Sequence, residues 1–597
     1  MSKGKSRSVS RRRLITAASV PMMAVALESG LFNGRAQAAE AAVAGSAEKN
    51  LAGMRVFNVR EYGAKGDGTT LDTKAVQAAI DACAEDRGGV VLVPAGAFLI
   101  APIELKSNVT LHIAAGGKLL ATTDPALYHP VRGIPINGDH TMGDGNVGLL
   151  FAAEAENITI EGPGVIDGQG KQVRAAGLNG INRCHLLLFY HCTNLTIRDV
   201  YMFQSSYHTC RICNSSYINL DGIRIFSRVT GNNDGFHFIS ADHVTLSNCE
   251  IRCQDDACAL FGSCQFIMVT NCLFSTRWSV FRFGGGTAKN VAVSNCVMYQ
   301  VYGCPIKLHC EPGSLFENMS FSNLVMEDVS GPFYLGVGRQ MRRQQGGDQA
   351  GKSDGNAAAA NEKGTAKAEN APTEKAADSP AKRSPGTIRN ISFSNISGTV
   401  VTKISTLDDS EALETRSHGV TNIGEQHSCI VLNCVEGQVM ENISLSDIRL
   451  TFGGGGTAED AARRDLPQIA GEYFSLGAMP AYGLYARNVR GLMLNNIRFQ
   501  VATAELRPAV ILSNVQDVSM LGLSAEGNPE AESLLRFINT ADTLITAPRV
   551  LTSVAVFLRV EGAKNKTITI DGGDISKASK PLDFADGASE TAVKLRG

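Results

Sequence analysis

The sequence predicts an all-β, right-handed single-stranded parallel β-helix with an N-terminal capping helix, on three observations. Short strands recur from Asn194, Tyr217, His243, Phe266, Asn290 and Asn318, at intervals of 23 to 28 residues. Each copy alternates apolar and polar residues and is rich in β-branched side chains, which excludes a helical repeat. Asparagine recurs at one phase, at Asn248, Asn271, Asn295, Asn323 and Asn395. Stacked turns would align these amides into an internal ladder at one corner. A turn that returns to the same edge gives parallel pairing and a right-handed crossover.

The elements follow in order. Residues 1–38 read as an export signal of the twin-arginine type: a basic n-region, Arg11 to Arg13 followed by Leu14 and Ile15, an apolar stretch to Leu27, and Ala36-Gln37-Ala38 as a cleavage site. That stretch is shorter than the about 20 residues a bilayer span needs. Residues 39–52 read as a linker, and 53–337 as the coils that carry the active site. The Gly63–Thr70 segment lacks a phosphate-loop ending and reads as a strand–turn connection. Between Asp72 and Glu85 the spacing of Val76, Ile80 and Cys83 is helical, with Asp72 as N-cap, and this helix would cover the open end of the solenoid. Residues 338–387 are low in large apolar side chains and read as a disordered insertion. Coils resume over 388–575, and 576–597 reads as a tail.

The chain has 597 residues and a formal net charge of −2, which argues against a nucleic-acid or membrane-surface binder. Fifteen cysteines in an exported protein suggest disulfides. Cys249, Cys272 and Cys296, however, share one phase of the repeat and are expected as an inward ladder of free thiols. Cys210 and Cys213 form a lone CxxC with no second half, so no metal site is predicted.

The chemistry concentrates between Gly231 and Lys307. Asp234 precedes Asp255 and Asp256 by 21 and 22 residues, about one repeat, so adjacent turns would gather the three carboxylates along an open groove. Such a cluster suits acid/base hydrolysis of a glycosidic bond. Three crowded carboxylates cannot all ionise cheaply, so one keeps its proton near neutral pH. Trp278 is a candidate for stacking on a sugar ring, and His237 for a position facing the cleft.

With these residues assembled, the chain resembles the polygalacturonase-like glycoside hydrolases of family 28 on the pectin-lyase-like β-helix. The opening Val56–Gly68, Val91–Phe98 and Gly164–Gly170 are similar to segments of that superfamily. Asn232-Asn233-Asp234 matches the family's Asn-Thr-Asp motif, Asp255-Asp256 its acid pair, and Pro305-Ile306-Lys307 its Arg-Ile-Lys motif. The resemblance implies an inverting hydrolase of α-linked, uronic-acid-containing polysaccharide that needs no cofactor. Asp255 would be the acid, Asp234 and Asp256 would hold the attacking water, and Asn232 and Lys307 would contact substrate. Two departures stand out: the family's Gly-His-Gly has no His counterpart in Ser275–Gly284, and its Arg is Pro305 here. Arg277 or Arg282 could replace that Arg. The alternatives are a uronate lyase or epimerase on the same fold, or a non-catalytic carbohydrate-binding β-helix. The expected partners are the polysaccharide and the twin-arginine export machinery, for a monomer exported by bacteria to the periplasm or beyond, with no stable membrane insertion.

Overall fold

The computed structural model describes residues 55–131, 134, 146–178, 183–338, 384–403 and 423–596. The predicted signal and linker lie outside the described residues, as does the predicted insertion apart from its ends. Among the described residues no helix is long and apolar enough to cross a membrane.

One coil shows how the sequence repeat becomes a wall. Strand Phe236–Ile239 turns into Asp242–Ser247, Asn248 bends the chain at φ 57°, and Glu250–Cys253 leads into the loop that bears Asp255 and Asp256. The next coil then begins at Cys258. Among the described residues repetition stacks these pieces into two sheets, one of 15 strands and one of 27, with parallel pairing from coil to coil. The coil interior is filled by alternate residues such as Phe236, Phe238, Leu246, Ile251 and Leu260, all buried. Period-two alternation thus sends one set of side chains into the core and the other outward.

The asparagine ladder exists but lies outside the wall. Asn271, Asn323 and Asn395 each donate to the asparagine one coil earlier, at 3.5, 3.0 and 2.9 Å, and these residues are exposed. The internal ladder is therefore corrected: a residue that turns the corner with positive φ points its side chain away from the core. Asn295 bonds instead to the Thr270 hydroxyl. The inward ladder is formed by Cys249, Cys272 and Cys296, and all fifteen cysteines are buried with none in a disulfide.

The helix Thr73–Glu85 (α1) buries Val76, Ala79, Ile80 and Cys83 against the first coils. Asp72 makes no side-chain cap to it; the carboxylate instead accepts from the Lys65 and Gly66 amides at 2.7 and 2.9 Å and ties down the preceding turn. The predicted tail is also corrected. Strands Ala578–Ala585 and Val593–Arg596 pair in parallel with Val554–Glu561 and Lys566–Asp571, because Leu582, Phe584 and Val593 supply apolar side chains that pack on the core. The β-helix continues to Arg596.

Five strands of the smaller sheet position the site: β1 (Cys210–Cys213), β2 (Phe236–Ile239), β3 (Cys258–Phe261), β4 (Phe281–Gly284) and β5 (Ile306–Cys310). Their register places Arg211, His237, Ala259, Arg282 and Lys307 in one lane on successive coils. Between Phe452 and Leu484 the chain leaves the wall in a long excursion. It contains the helix Ala458–Ala462 (α2), started by a capping box of Thr457 and Asp460, and a 3-10 turn at Tyr473–Leu476.

Candidate active site

Asp234 stands two residues before β2, and Asp256 two residues before β3. The Gly235 amide donates to the Asp256 carbonyl at 3.0 Å, and the Asp255 amide to the Asn233 carbonyl at 3.1 Å. Neighbouring coils therefore hold the three acids at one level, as the 21- and 22-residue spacings require. Asn232 joins them: its amide donates to the Asp255 carboxylate at 3.1 Å, and its own carbonyl oxygen accepts from Arg183 at 2.9 Å.

The expected open groove is corrected. Asp234, Asp255 and Asp256 are 2%, 9% and 3% exposed, so the acids present only a small part of their surface at the wall. Asp255 keeps the most surface of the three. Asp256 accepts from the Ser279 amide at 3.3 Å and lies 3.6 Å from Arg282. Asp234 pairs with the buried His237, whose Nδ1 is 2.7 Å from the carboxylate. His237 in turn stacks on His208, ring centroids 4.0 Å apart. His237 thus supports an acid and does not face a cleft.

Electrostatics separate the carboxylates. Burial, then the charge of Asp255, push the Asp234 carboxyl up to about 8, while His237 pulls it down. Asp234 is the most deeply buried of the three acids and keeps its proton in the neutral range. His208 is held neutral by burial and by the neighbouring His237 and His185.

The predicted substrate contacts are arranged around a residue that the sequence reading missed. Glu472, on the 453–483 excursion, lies 2.7 Å from Lys307 and 3.2 Å from Arg282. Burial opposes its charge, yet Lys307 and Arg282 hold its carboxyl well below the usual range. Lys307 is fully buried, with its ammonium 4.0 Å from the Trp278 ring centroid. Trp278 is itself buried and meets Phe474 edge to face at 5.9 Å. Stacking of Trp278 on a sugar is therefore corrected: the ring supports Lys307 and the excursion. Arg277 is buried with its guanidinium 5.5 Å from the Tyr302 ring centroid, one coil removed from the acids. No periodic signal marks Glu472; the one sign was a long segment between coils without a repeat copy, and long loops on a rigid scaffold often carry function.

One group among the described residues has donor geometry for a metal ion: His208, Asp234 and His237, with ligand atoms within 4.8 Å of one another. All three are buried, and Asp234 is already engaged by the short bond to His237. A metal there would compete directly with that bond.

Residues 83–340 match the family described as Glycosyl hydrolases family 28. The chain is 24% identical over 301 residues to a probable polygalacturonase of Arabidopsis thaliana, covering 47% of this chain and 64% of that protein. It is 28% identical over 270 residues to the exo-poly-alpha-D-galacturonosidase of Dickeya chrysanthemi, covering 40% of this chain and 43% of that protein. The chain thus spans between about two fifths and two thirds of the length of these relatives. Among solved structures, the family 28 exopolygalacturonase of Yersinia enterocolitica superposes with a TM-score of 0.50 at 18% identity, covering 78% of each chain, and supports the β-helical fold. Coil architecture, the acid motifs and the matched segment agree in making residues 83–340 of this chain similar to glycosyl hydrolases family 28.

Proposed function

We propose that the protein is an exported glycoside hydrolase that cleaves an α-linked, uronic-acid-containing polysaccharide of the pectin type with inversion. The observation that carries this reading is the convergence of Asp234, Asp255 and Asp256 from adjacent coils. Asp255, the most exposed of the three, donates its proton to the leaving glycosidic oxygen. Asp256 and the Asp234–His237 pair hold the attacking water and take its proton. Loss of the proton from Asp234 to His237 is what frees this acid to act as a base, and the 2.7 Å contact supplies the path. Asn232 orients Asp255 through its amide. The names of the relatives, a polygalacturonase and an exo-poly-alpha-D-galacturonosidase, favour galacturonate-containing polymers. The basic, apolar and small-residue segments of residues 1–38 favour export by the twin-arginine route.

Asp255→Asn is expected to fold normally and to lower kcat by about 10²- to 10⁴-fold, the range for a lost general acid. Reducing-end assays on pectic polymers, with proton NMR of the first anomer released, measure both rate and stereochemistry. Activity retained in the variant removes Asp255 from the acid role. A product absorbing in the ultraviolet indicates an unsaturated uronide and a lyase instead.

A further inference from the structure

We propose that Glu472 sets the charge of the substrate at the position bordering the catalytic acids, so that this position takes an uncharged sugar unit and rejects a free uronate. The inference rests on the glycosidase reading above and names the substrate class at that position. Arg282 and Lys307 occupy adjacent rungs of one lane, and Arg282 also lies 3.6 Å from Asp256. Arg282 and Glu472 keep 21% and 22% of their side-chain surface, so this lane is where a sugar placed at the acid pair would meet protein charge. Left alone, two cations on one wall would favour a carboxylate. Glu472 already satisfies both, at 2.7 and 3.2 Å. An incoming carboxylate would meet the charges of Glu472 and Asp256, with its cationic partners already engaged. A hydroxymethyl or ester group meets no such repulsion.

Glu472 is part of a fixed wall. The adjacent Tyr473 is buried, and its hydroxyl lies 3.0 Å from the Ser330 hydroxyl. Gly424 packs so closely on Phe474 that an added Cβ would stand 2.4 Å from the Phe474 carbonyl oxygen. Asn433 donates to the Ile469 carbonyl at 2.8 Å, and Arg487 to the Leu466 carbonyl at 3.0 Å. With both flanks anchored, the carboxylate is held as a permanent counter-charge.

Free D-galacturonic acid, its methyl ester and D-galactose serve as probes against wild type, Glu472→Gln and Glu472→Ala, read by thermal melting and calorimetric binding. Galacturonic acid is expected to leave the wild-type melting temperature unchanged and to raise that of Glu472→Ala, where its carboxylate replaces the missing one; the uncharged methyl ester and galactose are expected to act alike on both proteins. On matched oligosaccharides, wild type is expected to favour methyl-esterified over free-acid units by at least about tenfold, the effect of about 1.4 kcal/mol, and Glu472→Gln to lose that preference. Equal stabilisation of wild type and Glu472→Ala by galacturonic acid, or equal turnover of acid and ester by wild type, overturns the proposal. The wild-type measurements decide even if Glu472→Ala folds poorly. The melting and binding arms need no turnover: an inactive protein that still shows acid rescue of Glu472→Ala refutes the hydrolase reading and supports the role of Glu472.

Discussion

Asp234 has to serve as an acid site and a core residue together. Its carboxyl is buried beside Asp255 and Asp256 and faces His237 and, at 3.9 Å, His208. The folded protein keeps the Asp234 proton until about pH 8, whereas the unfolded chain releases it near 3.8. The folded state therefore binds more protons across that window, and this site's contribution to stability is present at low pH and is lost as pH rises from about 4 to about 8. Asp234→Asn is expected to flatten this part of the melting-temperature profile against pH; an unchanged slope would place the shifted group elsewhere. The acid trio was legible because its spacing equals the repeat. Glu472 was not, because it reaches Lys307 across 165 residues of sequence through a segment with no repeat copy. Burial of the acids was equally hidden, since a periodic pattern describes the wall and says nothing of what leans on it.

At the scale of the element, the corner is a backbone problem solved by a side chain. Non-glycine residues in the left-handed region are strained by roughly 1–2 kcal/mol, and Asn bears this best because its amide can bond locally. Asn323 has φ 54° and both donates to Asn295 and accepts from Asn395. Asn323→Ala is expected to lose about 1–2 kcal/mol, and Asn323→Gly less, since Gly takes that φ freely; the shift in urea midpoint for the two variants tests the order. A second corner lane departs from this rule. Asn108, Asn157 and Asn194 form a ladder, Asn290, Asn318, Asn390 and Asn442 form another, and between them Tyr217, His243 and Phe266 stack with centroids 4.8 Å apart at φ values of 51–57°. Ring stacking there does the work of the amide ladder. The strand copies were legible from alternation, but the outward direction of the asparagines was not, because it depends on the sign of φ and not on residue type.

Across the β-helix as a whole, each coil is protected only by its neighbours, so the two ends decide its solubility. Helix α1 packs on the first described coils, and the strands Ala578–Ala585 and Val593–Arg596 form the last described ones. Removing residues 576–597 would bare the pairing edges of Val554–Glu561 and Lys566–Asp571, and exposed edges recruit other chains. The truncated protein is expected to aggregate at concentrations where the full chain stays monodisperse, as light scattering would report; a monodisperse truncation would show that an earlier coil suffices as the end.

That none of the fifteen thiols is in a disulfide bears on where this molecule can be made. Nothing in the wall waits for an oxidant or for an isomerase to sort sulfur partners, so maturation can run to completion in a reducing cytosol.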